Sequence, residues 1–162
     1  MAISINKIQS LTGLKRIRTT LKERGKRVVF TNGCFDLIHG GHVHLFEEAK
    51  KLGDVLVVAV NDDRSIRTIK GPTRPIFPLA ERLEILAAMA SIDYLVSFSE
   101  QTPQKVISAL LPDVLVKGAD WKMDEVVGRK EVEKAGGKVV RVSLREGMST
   151  TSLLERILAA AE

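Results

Sequence analysis

A chain of 162 residues with 44% hydrophobic content is long enough to bury a core of its own and sits within the usual size of one domain. It holds no run of the ~18 to 20 apolar residues that a spanning helix needs. Met1 to Leu11 lack the basic start and apolar stretch of a signal peptide, and the single Cys34 excludes an intrachain disulfide, so a reducing, cytoplasmic setting is expected. The net charge of +5 and pI near 9.5 favour anionic ligands, while 4% aromatic content leaves few stacking platforms for single-stranded nucleic acid; small phosphorylated ligands are expected, ahead of nucleic acid or a membrane.

Along the chain, Ile5, Ile8, Leu11, Leu14, Ile17 and Leu21 recur at three- and four-residue steps and predict an amphipathic helix ending near Arg24-Gly25. Arg27 to Thr31 then reads as a strand apolar on both faces, the pattern of a covered parallel strand. After a glycine-rich break, a helix is predicted over Val43 to Leu52, stopped by Gly53, and a strand over Val55 to Val60. Further helices are expected at Leu79 to Ala90, Pro103 to Leu111, Asp124 to Ala135 and Ser152 to Ala160, the last with Leu153, Leu154, Ile157 and Leu158 along one side. The remaining strands are Tyr94 to Phe98, Val114 to Val116 and Lys138 to Val142. This alternation implies right-handed crossovers and an α/β fold, a Rossmann-like three-layer sandwich around a five-stranded, mainly parallel sheet.

No internal repeat, low-complexity segment or linker interrupts the pattern. Residues 1–162 therefore read as one domain, an N-terminal helix within 1–25 and a catalytic core over 26–162. Ligands of such sheets bind beyond the carboxyl ends of the strands, near the reversal of strand order. Four segments lead there: Asn32 to His42, Asn61 to Arg74, Lys117 to Trp121, and Ser143 to Thr151.

In the first of these, all three histidines of the chain, His39, His42 and His44, fall within six positions. His39 and His42 flank Gly40-Gly41 where a loop becomes a helix, and backbone amides at a helix start suit a phosphate. The glycines would let that backbone approach the ligand, and the two imidazoles would donate hydrogen bonds as negative charge shifts onto a leaving pyrophosphate. Two other readings stand beside this one: a polar turn, and a zinc site built from His-x-x-His-x-His with Asp36. At about 3.6 residues per turn, His44 points about 200° away from His42, which disfavours zinc. The segment is neither a Walker A sequence nor G-x-G-x-x-G.

Gly33-x-Phe35-Asp36-x-x-His39-x-Gly41-His42 resembles the signature of the cytidylyltransferase-like branch of the HIGH-motif nucleotidyltransferases. The longer string Phe30-Thr31-Asn32-Gly33-Cys34-Phe35-Asp36 is similar in more detail to the bacterial heptose 1-phosphate adenylyltransferases, which occur as stand-alone chains or as the C-terminal half of a bifunctional protein with a sugar kinase. The likeness runs over roughly residues 25 to 160. It implies adenylyl transfer from ATP, carried with Mg2+, to a heptose 1-phosphate, giving ADP-heptose and pyrophosphate for cell-surface polysaccharide precursors. No protein metal site is expected, and composition and hydropathy set aside a nucleic-acid or membrane partner; relatives are often dimers, so a homodimer is a further expectation.

The other three segments fit that resemblance. By charge alone Arg64, Arg67, Lys70 and Arg74 form a basic segment that is either a solvated face or a phosphate contact; the resemblance singles out Lys70 and Arg74 as contacts to the acceptor. Arg82, in the first turns of a helix, opposes the helix dipole. Its partner is either an anionic ligand or Glu81 or Asp93, and similar enzymes carry an arginine near the triphosphate. Lys117-Gly118-Ala119-Asp120-Trp121 departs mildly from the Lys-Gly-Gly-Asp-Tyr of the heptose enzymes. Lys117 would meet phosphate, and Asp120 a sugar hydroxyl or Mg2+ through water. Ser149-Thr150-Thr151 make either an ordinary N-cap or an anion cradle, and resemble the family's second signature, which contacts nucleotide phosphates. Arg145 sits one position past an arginine found in some relatives. Cys34 reads as small filler rather than a nucleophile.

The expected site is therefore His39, His42 and Lys70 for catalysis, with Asn32, Gly33, Phe35, Asp36, Gly41, Arg82, Lys117, Gly118, Ser149, Thr150 and Thr151 on the nucleotide. Arg74 and Asp120 would hold the acceptor. The alternative within the family is CTP with glycerol 3-phosphate or a similar small phosphate ester. Outside it stand a basic nucleic-acid module and a zinc protein.

Overall fold

The computed structural model of the chain describes residues 6–143, 145 and 147–161. Its elements are α1 (Leu11–Glu23), β1 (Val28–Gly33), α2 (Gly40–Lys50), β2 (Val55–Asn61), α3 (Asp63–Lys70), α4 (Leu79–Ala87), β3 (Tyr94–Phe98), α5 (Gln104–Leu110), β4 (Val114–Gly118), a 3-10 turn (Met123–Glu125), α6 (Arg129–Lys134), β5 (Lys138–Val142) and α7 (Thr150–Ala160). The five strands form one sheet in the order β3-β2-β1-β4-β5, parallel throughout. The α/β, Rossmann-like architecture is the one read from the sequence, with the sheet wholly rather than mainly parallel.

Successive strand residues point to opposite faces, and both faces are dry. Val28, Phe30, Val57, Ala59 and Leu115 pack with Leu14 of α1, Ile107 of α5 and Val132 of α6. Val29, Leu56, Val58, Leu95 and Val116 pack on the other side with Phe46 and Ala49 of α2 and Leu86 of α4. Each Val, Leu, Ile or Phe side chain among them contributes about 1.5–3 kcal/mol by leaving water. That two-sided burial is why β1 and β2 read as unbroken apolar runs.

Local chemistry accounts for the places where the elements differ from the sequence expectation. Helix α1 begins late because the Ser10 hydroxyl accepts the Gly13 amide at 3.0 Å and caps it there. Ile8, expected inside that helix, forms a parallel bridge to Leu95 instead, and Ile5 lies outside the described residues. Helix α3 occupies a stretch expected to be loop: Asp62 caps it by accepting the Ser65 amide at 2.7 Å. The single helix expected over Asp124 to Ala135 is divided by Gly128, whose φ of +82° is left-handed and whose missing Cβ would lie 2.6 Å from Cγ2 of Ile107. In α7 the expected apolar side is not core, since Ile157 and Leu158 are 51% and 67% exposed.

The strand order reverses between β1 and β4. These two pair over Val29↔Val114 and Phe30↔Leu115, against six pairs between β1 and β2, so β1 and β4 part before their carboxyl ends. Replacing Gly128 by Ala forces a side chain into both a left-handed backbone and Ile107. It should cost about 1–3 kcal/mol, read as a lower urea midpoint with an unchanged slope; an unchanged midpoint would show that this turn relaxes freely.

Candidate active site

Where β1 and β4 part, a cavity of about 460 Å3 opens at the carboxyl edge of the sheet. All four segments singled out in the sequence reach it. Asn32, Gly33, Phe35 and Asp36 come from the loop after β1, and His39, Gly41 and His42 from the start of α2. Lys70 ends α3 and Arg74 follows; Lys117, Gly118 and Asp120 follow β4; Ser149 and Thr150 open α7. Thr151 and Arg82 do not line the cavity. Gln101, Thr102 and Pro103 line it without having been anticipated, although they follow the carboxyl end of β3, the same signal that identified the other loops.

The histidine pair is built by the helix start itself. His39 is the N-cap of α2, its Nδ1 accepting the Gly41 amide at 3.1 Å, so the helix begins three residues earlier than its apolar pattern suggests. With Nδ1 an acceptor, a neutral His39 carries its proton on Nε2. The His39 and His42 rings stack, centroids 3.8 Å apart and planes 24° off parallel. Burial lowers the His39 pKa; burial, then the charges of His39 and Lys70, push His42 down to about 4. The pair is therefore neutral at pH 7, each ring offering one N–H rather than a positive charge. The Nδ1 of His42 is buried without a partner. Phe35, held at φ +46°, sets its ring edge-on to His42 at 5.3 Å and against Phe46 at 5.1 Å.

What crowds Gly41 is protein. A Cβ there would lie 3.0 Å from the His39 ring and 3.2 Å from the Met148 carbonyl oxygen. The missing side chain lets the cap form and lets the segment before α7 close over α2, a different use from the ligand approach expected of it. His44 does not line the cavity. Among the described residues, no three His, Cys, Asp or Glu side chains are placed to hold a metal ion, which leaves the zinc reading without a ligand set.

Asp36 is 3% exposed, and its oxygens accept the Ile76 and Phe77 amides at 2.8 and 2.9 Å and Nε of Arg74 at 2.7 Å. Burial raises its pKa, but those hydrogen bonds outweigh it and leave the carboxyl lowered. Expected on the nucleotide, this carboxylate lines the cavity and also ties the β1 loop to residues 74–77. Lys70 is exposed at the cavity edge, while Arg64 and Arg67 do not line it. Arg82 is fully buried and bonded to Asp63 and three carbonyl oxygens. It meets neither Glu81 nor Asp93, the latter being taken by Lys50 and the Leu56 amide. A nucleotide contact by Arg82 has no geometric basis here.

Lys117 is 7% exposed, with Nζ donating to Oδ1 of Asn32 and lying 5.2 Å above the Trp121 ring. Burial pushes its pKa down to about 8, which still leaves it mostly charged at pH 7. Asp120 is exposed. Ser149 forms a capping box with Ser152, so its oxygen already accepts an amide, and Thr150 is half-buried beside it. Arg145 is exposed and acts electrostatically on Glu48, off the cavity. Burial raises the Cys34 thiol pKa, against the pull of Lys70 and Arg82, which leaves it a poor nucleophile.

Net charge turns out to be a poor guide to this site. Residues 15–27 hold seven cations and one acid, Glu23, an excess larger than the +5 of the whole chain. They belong to α1 and the approach to β1, and none lines the carboxyl-edge cavity.

A parallel sheet reversing at a cleft, with paired histidines on a helix start and lysines on both sides, is the arrangement of a nucleotidyltransferase. A family profile described as cytidylyltransferase-like matches residues 30–156, and the chain belongs to that family. The chain is 53% identical over 136 residues to the bifunctional protein HldE of Shewanella piezotolerans, covering 84% of this chain and 28% of that protein. It is 50% identical over 153 residues to the HldE of Syntrophotalea carbinolica, covering 94% and 31%. The chain thus spans less than a third of the length of these curated relatives. Among solved structures, a lipopolysaccharide core biosynthesis protein from Thermoplasma volcanium matches with TM-score 0.61 and 34% identity, covering 75% of this chain and 98% of that one. A pantoate-beta-alanine ligase from Francisella tularensis, at 17% identity and TM-score 0.63, covering 92% and 72%, shares the fold.

The neutral histidine pair has a consequence for stability. His42 takes up a proton near pH 6.5 when unfolded and at about 4 when folded, so the unfolded state binds more protons in that interval. Stability should fall as pH drops from about 6.5 to about 4, and His42→Gln should flatten that slope in urea titrations across the range. An identical slope in the variant would mean that His42 is not held neutral by the fold.

Proposed function

We propose that the chain transfers the adenylyl group of MgATP to a heptose 1-phosphate, releasing pyrophosphate. The observation that carries this is the stacked, neutral His39–His42 pair, which shares one cavity with Lys70 and Arg74 on one side and Lys117 and the α7 N-terminus on the other. An oxygen of the acceptor phosphate attacks the α-phosphorus of ATP, one P–O bond forming as the bond to the β-phosphate oxygen breaks. The attacking phosphate is already anionic, so no general base is needed. Catalysis is then positioning and charge neutralisation.

In this reading the Nε2–H of His39 and an N–H of His42 donate to α-phosphate oxygens as charge builds. Lys70 and the nitrogens of Arg74 not used on Asp36 draw in the acceptor phosphate. Lys117 meets the triphosphate, with Ser149, Thr150 and the amides at the start of α7. Mg2+ arrives on ATP, because the buried carboxylate of the site, Asp36, is already occupied by Arg74 and two amides. The preference for ATP and a heptose is supported by the Thr31-Asn32-Gly33-Cys34-Phe35-Asp36 and Lys70-Gly71-Pro72-Thr73-Arg74-Pro75 strings and by about 50% identity to the HldE proteins.

The deciding measurement is pyrophosphate release across ATP, CTP, GTP and UTP, with heptose 1-phosphate or glycerol 3-phosphate as acceptor. Release is expected with ATP and the heptose; release with CTP and glycerol 3-phosphate alone would replace the proposed substrates. In the active pair, His39→Ala and His42→Ala should each lower kcat by about 10²- to 10³-fold, as loss of one transition-state donor does, and near-normal turnover in both would sink the assignment. Lys70→Met should chiefly raise KM for the sugar phosphate; an unchanged KM would move the acceptor site elsewhere.

A further inference from the structure

Arg82 is the one fully buried charged side chain among the described residues, at 0% exposure, and it does not line the active-site cavity. From α4 its Nε donates to the Phe77 carbonyl at 3.0 Å. Its Nη1 donates to the carbonyls of Cys34 at 2.6 Å and Asn61 at 2.8 Å, and its Nη2 to Oδ1 of Asp63 at 2.8 Å. Those four partners belong to separate pieces of the site. Cys34 precedes Phe35 and Asp36, Asn61 ends β2, Asp63 opens the helix that Lys70 ends, and Phe77 closes the segment that carries Arg74.

Asp36 makes the reciprocal tie. It belongs to the loop gripped at Cys34 and accepts the amides of Ile76 and Phe77, while Arg82 takes the Phe77 carbonyl. The two loops are thus stapled at both ends, by an anion collecting N–H groups and a cation collecting carbonyls. One loop orients His42 through the edge of Phe35, and the other carries Arg74.

We infer that Arg82 is a positioning residue that sets the distance between the phosphate-activating histidines and the acceptor-binding Lys70–Arg74 segment, without touching either substrate. A guanidinium suits the task because its planar fork spreads donors over three nitrogens and so reaches groups that lie too far apart for the single nitrogen of a lysine ammonium. The consequence for turnover rests on the adenylyl-transfer reading; the geometric half does not.

The test uses the full chain with Arg82→Lys, Arg82→Gln and Asp63→Asn, first checked for a cooperative melt. In folded Arg82→Lys, kcat should fall about 10- to 100-fold, the cost of ångström-scale misplacement, while KM for ATP stays within about threefold. Amide exchange at Ile76 and Phe77 should accelerate at least tenfold, a readout that needs no substrate and so separates this inference from failure of the proposed reaction. Asp63→Asn keeps the three carbonyl bonds and should keep kcat within about threefold, so it tests the inference even if both Arg82 variants fail to fold. A raised KM for ATP with unchanged kcat would make Arg82 a ligand contact. A lower melting temperature with unaltered kcat and exchange would make it mere core. A loss in Asp63→Asn as large as in Arg82→Lys would show that charge balance, not the grip on three carbonyls, is what counts. Each of these three overturns the inference.

Discussion

A sheet whose five strands all run one way must reverse its winding once to cover both faces, and here it does so between β1 and β4. Helices α2 and α4 cover one face of the sheet, and α1, α5 and α6 the other. At the reversal no crossover closes the gap, and β1 and β4 separate beyond Phe30 and Leu115. Everything the site contains is hung on the rim of that gap. Lys117 reaches Asn32 across it, and the loops from four other chain positions fold over its edge. The cleft is thus a consequence of topology, filled afterwards with chemistry.

The electrostatics of the cleft follow from how deeply each group is held. His39 and His42 can stack 3.8 Å apart because burial keeps them neutral; two imidazolium rings at that distance would repel. The positive charge that faces the cavity comes instead from Lys70 at the rim and from Lys117, while the two charges buried deepest, Asp36 and Arg82, are bonded to backbone groups. Donors aimed at developing charge cost little at the moment of reaction when the protein has already oriented them. The left-handed Phe35 is part of the same arrangement, its backbone strain offset by packing on His42 and Phe46.

Most of the architecture was legible because its causes are local and periodic. Val55 to Val60 and Tyr94 to Phe98 read as strands from their short, largely apolar runs between helices, and the four rim segments followed from a rule about strand ends. Helix α3 was hidden because it starts with a run of charged residues and owes its beginning to one capping bond, Asp62 to Ser65. Helix α2 starts at Gly40 because His39 caps with a side chain not usually counted as a cap. The break at Gly128 was missed because the packing of Ile107 against it has no trace in local sequence.

Residue types in order were enough to determine an α/β sheet, a paired-histidine helix start and a set of cations beside it, since these depend on hydrophobic period and on motif spacing. Only the tertiary structure decided how each charge is used. Arg82 looks like a ligand contact in one dimension and becomes an internal tie in three, while Asp36 lines the cavity and is also tied to Arg74 and two amides. The excess positive charge of the chain, read as favouring anionic ligands, is concentrated in residues 15–27, which lie off the cavity. The reason is physical: a charged group's role is set by its desolvation and by the partners it meets, and both come from segments tens of residues away in the chain.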